Sequence, residues 1–122
     1  MQHGRVLLTH RSSHRRWYPD VWDLPGGHVD DGETELQALR RELHEELQVR
    51  AEVVDPTPLA RIDDPAAGLR LGLWVVRSWA GTPVNACPEE HDETRWVGAD
   101  ELQHLALAHP QYADLLGALL RS

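Results

Sequence analysis

A chain of 122 residues with a formal charge of −8 has room for one domain and excludes two, so every motif along it, from residue 1 to 122, must share a core. Its 20 acidic residues face 12 arginines and no lysine, which excludes the broad basic footprint of a duplex nucleic-acid binder and leaves a small anionic ligand to be held by locally placed arginine and a metal. A hydrophobic content of 41% supports a packed interior, while a single cysteine, Cys87, excludes an internal disulfide.

Neither signal-peptide flanks nor a run of membrane-spanning length occurs, so a soluble protein of the reducing cytoplasm is expected. Arg5 to His10 reads as a strand around Val6-Leu7-Leu8, followed by an arginine-rich loop ending in Trp17-Tyr18-Pro19-Asp20. Val21 to Leu24 then approaches Pro25-Gly26-Gly27, a stop that permits backbone angles closed to other residues, and His28-Val29 resumes a short strand.

Thr34 and Gln37 have the spacing of a capping box, so a helix is predicted from Thr34 to about Gln48. Leu36, Leu39, Leu43 and Leu47 form its core-facing stripe. Strands are predicted near Arg50 to Val54, Leu59 to Ile62, Leu69 to Trp79 and Thr94 to Val97, with breaks at Asp63-Asp64-Pro65 and Gly81-Thr82-Pro83. Asp100 can cap a short helix through Leu105, and Pro110 opens a last one with the stripe Tyr112, Leu115, Leu116 and Leu119. Strands and helices mix without regular alternation, which favours an α+β fold with an antiparallel or mixed sheet flanked by helices.

The chemistry lies on the first helix. Glu42, Glu45 and Glu46 stand at i, i+3 and i+4, three carboxylates along one side next to the leucine stripe, with Glu35 a heptad earlier. In solvent such pairs cost roughly 0.2–0.5 kcal/mol each. Beside a core, two charges ~6 Å apart at an effective dielectric of ~20 repel by roughly 3 kcal/mol, and a divalent cation converts that repulsion into binding. Oxygen-only ligands point to Mg²⁺ or Mn²⁺.

From Gly27 the chain runs through five residues to Glu33, seven more to Arg41-Glu42-Leu43, one to Glu45-Glu46, and one to Gln48-Val49. This resembles the Nudix hydrolase signature at every defining position except Gln48, where the family has glycine. Six such residues and two aliphatic positions coincide by chance on the order of once in a million chains. The resemblance implies a MutT-like nucleotide pyrophosphohydrolase with an α/β/α sandwich around a mixed, mostly antiparallel sheet. It also implies that Glu42, Glu45 and Glu46 bind a divalent metal, that Gly26 offers it a carbonyl, and that Glu33 pairs with Arg41 to hold the preceding loop. Gln48 tolerates a left-handed helix end less well than glycine, so a stability cost or a longer helix is expected, with the metal site intact.

A positioned carboxylate would deprotonate the attacking water. Glu45, and Glu90 in the segment Pro88-Glu89-Glu90-His91-Asp92-Glu93, are both candidates for that base; Glu45 is preferred, and Glu90 is a further potential metal ligand. Arg11 stands where similar enzymes set an arginine against substrate phosphates. Trp17, Trp22 and Trp96 could offer a face to a nucleobase, although a tryptophan is more often core. His28, His44 and His91 are too scattered for a zinc pattern and read as ordinary polar positions.

The resemblance also covers Trp22 to Gly27, Arg95-Trp96-Val97 and Asp100-Glu101-Leu102. Similar proteins carry a further strand before the Gly4-Arg5-Val6 turn. Its absence here reads either as a truncated start or as an exposed edge, and an exposed edge suggests a homodimer. The preferred substrate is a nucleoside triphosphate, oxidised or not, cleaved to monophosphate and pyrophosphate. The alternatives are ADP-ribose, a nucleotide sugar or a nucleotide-alcohol, or a non-catalytic nucleotide sensor.

Overall fold

Period-two alternation in Arg5–Arg11 (β1) sends Val6 and Leu8 to one side of the sheet and Leu7 to the other, and this divides the interior in two. Val6 and Leu8 join Trp22, Ile62, Leu73, Val97, Leu102, Tyr112 and Leu116 in one buried cluster. Leu7 packs on the second, built on Leu43, Leu47, Val49 and Ala51. The computed structural model describes residues 1–13, 19–26, 29–64 and 69–121.

β1 is central in a three-stranded antiparallel sheet between Trp22–Asp23 (β2) and His91–Gly98 (β7). Two antiparallel pairs complete the layer: Arg50–Val54 (β3) with Val76–Ala80 (β6), and Ala60–Asp64 (β4) with Leu69–Leu73 (β5). A parallel bridge joins Trp22 to Leu107. The helix Glu35–Leu47 (α1) covers one side through Leu43 and Leu47. Ala99–Leu102 (α2) and Tyr112–Arg121 (α3) cover the other through Leu102, Tyr112 and Leu116. The result is an α+β sandwich with antiparallel sheets between helices.

Three expectations are corrected. The apolar run Leu69 to Trp79 is two strands, because the chain changes partner at Trp74-Val75, where Leu73 O still accepts from Leu59 N (2.7 Å) and Val75 O accepts from Asp55 N (2.9 Å). Asp63 and Asp64 lie within β4, opposite Arg70 and Leu69, rather than in a break. The cap of α2 is Gly98, whose N–H donates to Glu101 Oε1 at 3.4 Å, so Asp100 falls inside the first turn.

Both ends of α1 match their local chemistry. Thr34 Oγ1 accepts from Gln37 N (3.1 Å) while Thr34 N donates to Gln37 Oε1 (2.8 Å), the reciprocal pair of a capping box. At the other end Gln48 takes the left-handed conformation, φ 57° and ψ 35°, and its N–H donates to His44 O. The helix stops where a glycine would stop it, without lengthening.

Candidate metal and active site

The last carbonyls of a helix need donors, and α1 finds them in the loop before β7. Ala86 N donates to Glu46 O (2.8 Å) and Val84 N to Leu47 O (3.0 Å), while Cys87 Sγ lies 3.6 Å from Glu45 O. The same loop turns through Glu90 N and His91 N, both donating to Cys87 O. Asn85 Nδ2 donates to His91 O at 2.6 Å, and Ser12 N donates to Glu90 O at 3.0 Å. The carboxylate helix and the Glu90-His91 turn are thereby fastened together by backbone.

Glu46, Glu90 and His91 converge, each offering a ligand atom within 4.8 Å of the others. Glu46 is 4% exposed and His91 4%, with His91 Nε2 3.8 Å from Glu46 Oε1. The other oxygen, Glu46 Oε2, accepts from Gly26 N at 2.9 Å. Gly26 sits at φ 141°, a region reserved for glycine, so no other residue would set its N–H there without strain. A glutamate so deeply buried is not a solvated acidic face. Two carboxylates within that distance repel by roughly 3 kcal/mol at an effective dielectric of ~20, and a cation is the simplest relief. The donor set, carboxylate oxygens with an imidazole, fits a divalent ion.

Glu42 and Glu45 stand outside this cluster among the described residues, and Arg41 explains why. Its Nε and one terminal nitrogen grip both oxygens of Glu33 (2.8 and 3.0 Å), while the other reaches Glu42 Oε1 (2.8 Å) and Glu45 Oε2 (3.3 Å). This guanidinium holds the Glu33 carboxyl below its ordinary range, helped by the Asp30 N–H, and its own pKa is driven up by Glu33 and Glu42. Glu33 is thus a clasp on the loop before α1: Oε1 also accepts from Asp30 N (2.9 Å). The thiol of Cys87 registers the local field. Burial and then Glu90, Glu89, Glu46 and Glu45 all push its pKa up.

The remaining candidates disperse. Arg11 is Cα partner of His91, but its side chain is mostly buried, and Nη1 stands 3.7 Å from Asp23 Oδ2. Asp23 Oδ1 accepts from Tyr112 Oη (2.8 Å) and Leu24 N (2.8 Å), tying α3 to β2. Trp22 is 7% exposed in the core, with His10 tilted against it and the Arg95 guanidinium 4.8 Å from its ring centroid, so its faces meet protein. Trp96 is half-buried and stacks on Trp79, centroids 5.8 Å apart and planes at 24°. Both border an apolar cavity of about 150 Å³ together with Leu39, Leu43 and Leu47. Trp17 and Gly27 lie outside the described residues. His91, read from sequence as an ordinary polar position, is a member of the cluster; its adjacency to Glu90 was the available signal.

The NUDIX domain family matches residues 1–119. Nucleoside triphosphatase NudI of an Enterobacter species is 44% identical over 61 residues, which are 50% of this chain and 43% of that protein. An isopentenyl-diphosphate Delta-isomerase of Clavibacter sepedonicus is 34% identical over 115 residues, 90% of this chain and 60% of that protein. The chain therefore spans less than two thirds of the length of either relative. Among solved structures, a MutT from an analysis of the Aliivibrio salmonicida and Vibrio cholerae proteins superposes with a TM-score of 0.79 at 24% identity, covering 95% of this chain and 87% of that one, a likeness of fold. With its family match running nearly end to end over this sandwich and its glutamate helix, the chain belongs to the Nudix family.

Proposed function

We propose that this chain hydrolyses a pyrophosphate bond in a nucleoside triphosphate, releasing the monophosphate and pyrophosphate, with Mg²⁺ or Mn²⁺ as cofactor. The observation that carries the reading is Glu46, an acid 4% exposed and clustered with Glu90 and His91 on the helix that holds the family signature. NudI, the triphosphatase relative, supports the substrate class. The isomerase relative keeps product identification essential.

A bound divalent ion supplies charge neutralisation on the phosphates and a more acidic water. Glu46 and Glu90 would hold it, and Glu42 and the Gly26 carbonyl would be further oxygen donors. Glu45, 53% exposed and only loosely tied to Arg41, takes the proton of the attacking water. Arg41 and Glu33 act indirectly, by fixing the loop and the helix carboxylates relative to one another. Arg11, paired with His91 across β1 and β7, supplies a guanidinium to the phosphates. Of the two candidate tryptophans among the described residues, Trp22 is buried and Trp96 half-buried, which leaves Trp96 to meet a base. The protein acts in the cytoplasm on a small soluble nucleotide. Among the described residues β3 and β6 pair as a two-stranded sheet, and such a short sheet supports a homodimer formed along an edge.

The test is incubation with Mg²⁺ and a panel of nucleoside triphosphates, oxidised nucleotides, nucleotide sugars and ADP-ribose, with products identified by chromatography and mass. Monophosphate plus pyrophosphate from a triphosphate is expected. No turnover of any of them would defeat the enzyme reading, and turnover of a nucleotide sugar or ADP-ribose alone would move the substrate class.

A further inference from the structure

We propose that His91 is a nitrogen ligand of the divalent cation, making the centre a mixed oxygen and nitrogen site that favours first-row transition ions over Mg²⁺. This rests on the metal-dependent reading above and adds to it a residue outside the glutamate helix.

Three observations support it. His91 is 4% exposed, and its Nε2 lies 3.8 Å from Glu46 Oε1. Two ligands of one ion at about 2.1 Å are about 3 Å apart when adjacent and about 4.2 Å apart when opposite, so a single ion can touch both atoms. The Glu90 carboxylate falls within the same 4.8 Å span.

The backbone that carries the imidazole is also held in place. His91 N donates to Cys87 O (2.9 Å), His91 O accepts from Asn85 Nδ2 (2.6 Å), and the residue pairs with Arg11 across β1 and β7. A buried ring carried on a fixed backbone has less freedom to lose when it meets a metal. Mg²⁺ prefers an all-oxygen shell and keeps its waters, whereas imidazole suits the later first-row ions. The competing role for this ring is an Nε2–H donated to Glu46, which would only orient the carboxylate.

The experiment uses the full chain loaded with Mn²⁺ as a paramagnetic probe. Binding is followed from loss of the free-ion signal in electron paramagnetic resonance, and directly bound nitrogen is sought by electron spin echo modulation. The expected result is a ¹⁴N modulation in the wild type that changes to the ¹⁵N pattern when histidine is ¹⁵N-labelled. His91→Gln should lose the modulation and weaken Mn²⁺ binding by at least about tenfold, the lower end of what losing a ligand's hydrogen-bond partner costs. Its Mg²⁺ affinity, read by competition, should fall by less. Circular dichroism checks folding, and His91→Asn serves if the glutamine variant does not fold.

Mn²⁺ bound to the wild type without nitrogen modulation overturns the ligand assignment and leaves the hydrolase reading standing. Modulation that persists in a folded His91 variant overturns it equally. No Mn²⁺ binding to the wild type at all overturns the metal-dependent reading together with this one.

Discussion

Gln48→Gly should stabilise the protein, and the expected amount follows from the end of α1. Gln48 is exposed and adopts φ 57°, ψ 35°, and its N–H bond to His44 O is made by the backbone. Replacing its side chain therefore removes no buried contact. A residue with a Cβ in this conformation carries about 1–2 kcal/mol of strain, which glycine does not. Against that, glycine adds unfolded-chain entropy worth about 0.4–1 kcal/mol. The difference is a net gain of about 0.5–1 kcal/mol. For a domain of this size that raises Tm by about 2–5 °C. Urea titration followed by circular dichroism at 222 nm reads the change, with the slope of the transition unchanged. Gln48→Val should do the reverse, because a β-branched side chain tolerates positive φ worst. A Gly variant that is less stable than wild type, or a Val variant that matches it, would refute the account of this helix end.

Further outcomes follow from the site and its surroundings. Glu46→Gln should remove catalytic turnover while keeping the far-UV spectrum, since the amide is isosteric; wild-type turnover in that variant would remove Glu46 from the metal centre. Glu35 is held below its ordinary pKa first by Arg61, and Asp55 by Arg77. A depressed carboxyl stabilises the fold fully above its unfolded value, and that contribution fades as pH falls through the folded value. Arg61→Gln should accordingly lower stability near pH 7 and lose this difference from wild type as pH falls through and below the ordinary glutamate range, as read by denaturant titration across pH; a difference independent of pH would contradict the assignment. Cys87, its pKa raised by burial and four glutamates, should react with iodoacetamide at pH 7 more slowly than a free thiol such as glutathione. Light scattering over a wide concentration range should return twice the mass of one chain, and a monomer throughout would dispose of the homodimer.

What could be read without coordinates was mostly local. The capping box needs Thr34 and Gln37 to be three residues apart, and the Leu43 and Leu47 face needs a spacing of four; both are short-range rules, and the structure keeps both. Strand limits are less legible where the rule involves a distant partner. A continuous apolar run such as Leu69 to Trp79 looks the same whether it pairs with one strand or changes partners at Trp74-Val75. Trp22 has the composition of a stacking platform, and only the packing around it shows that its buried ring is met by His10 and Arg95.

The amino-acid sequence by itself determined the family and the helix that carries the carboxylates, because a signature is a pattern of spacings along one chain. It did not determine which carboxylates converge in one cluster. Glu42, Glu45 and Glu46 are equivalent as letters, yet Arg41 reaches Glu42 and Glu45, while Glu46 turns inward to Gly26, Glu90 and His91. That division depends on the loop before β7 closing against the carbonyl end of α1 through Val84 and Ala86. Residues 46 and 91 lie far apart along the chain, and the contact between them is a property of the folded backbone alone.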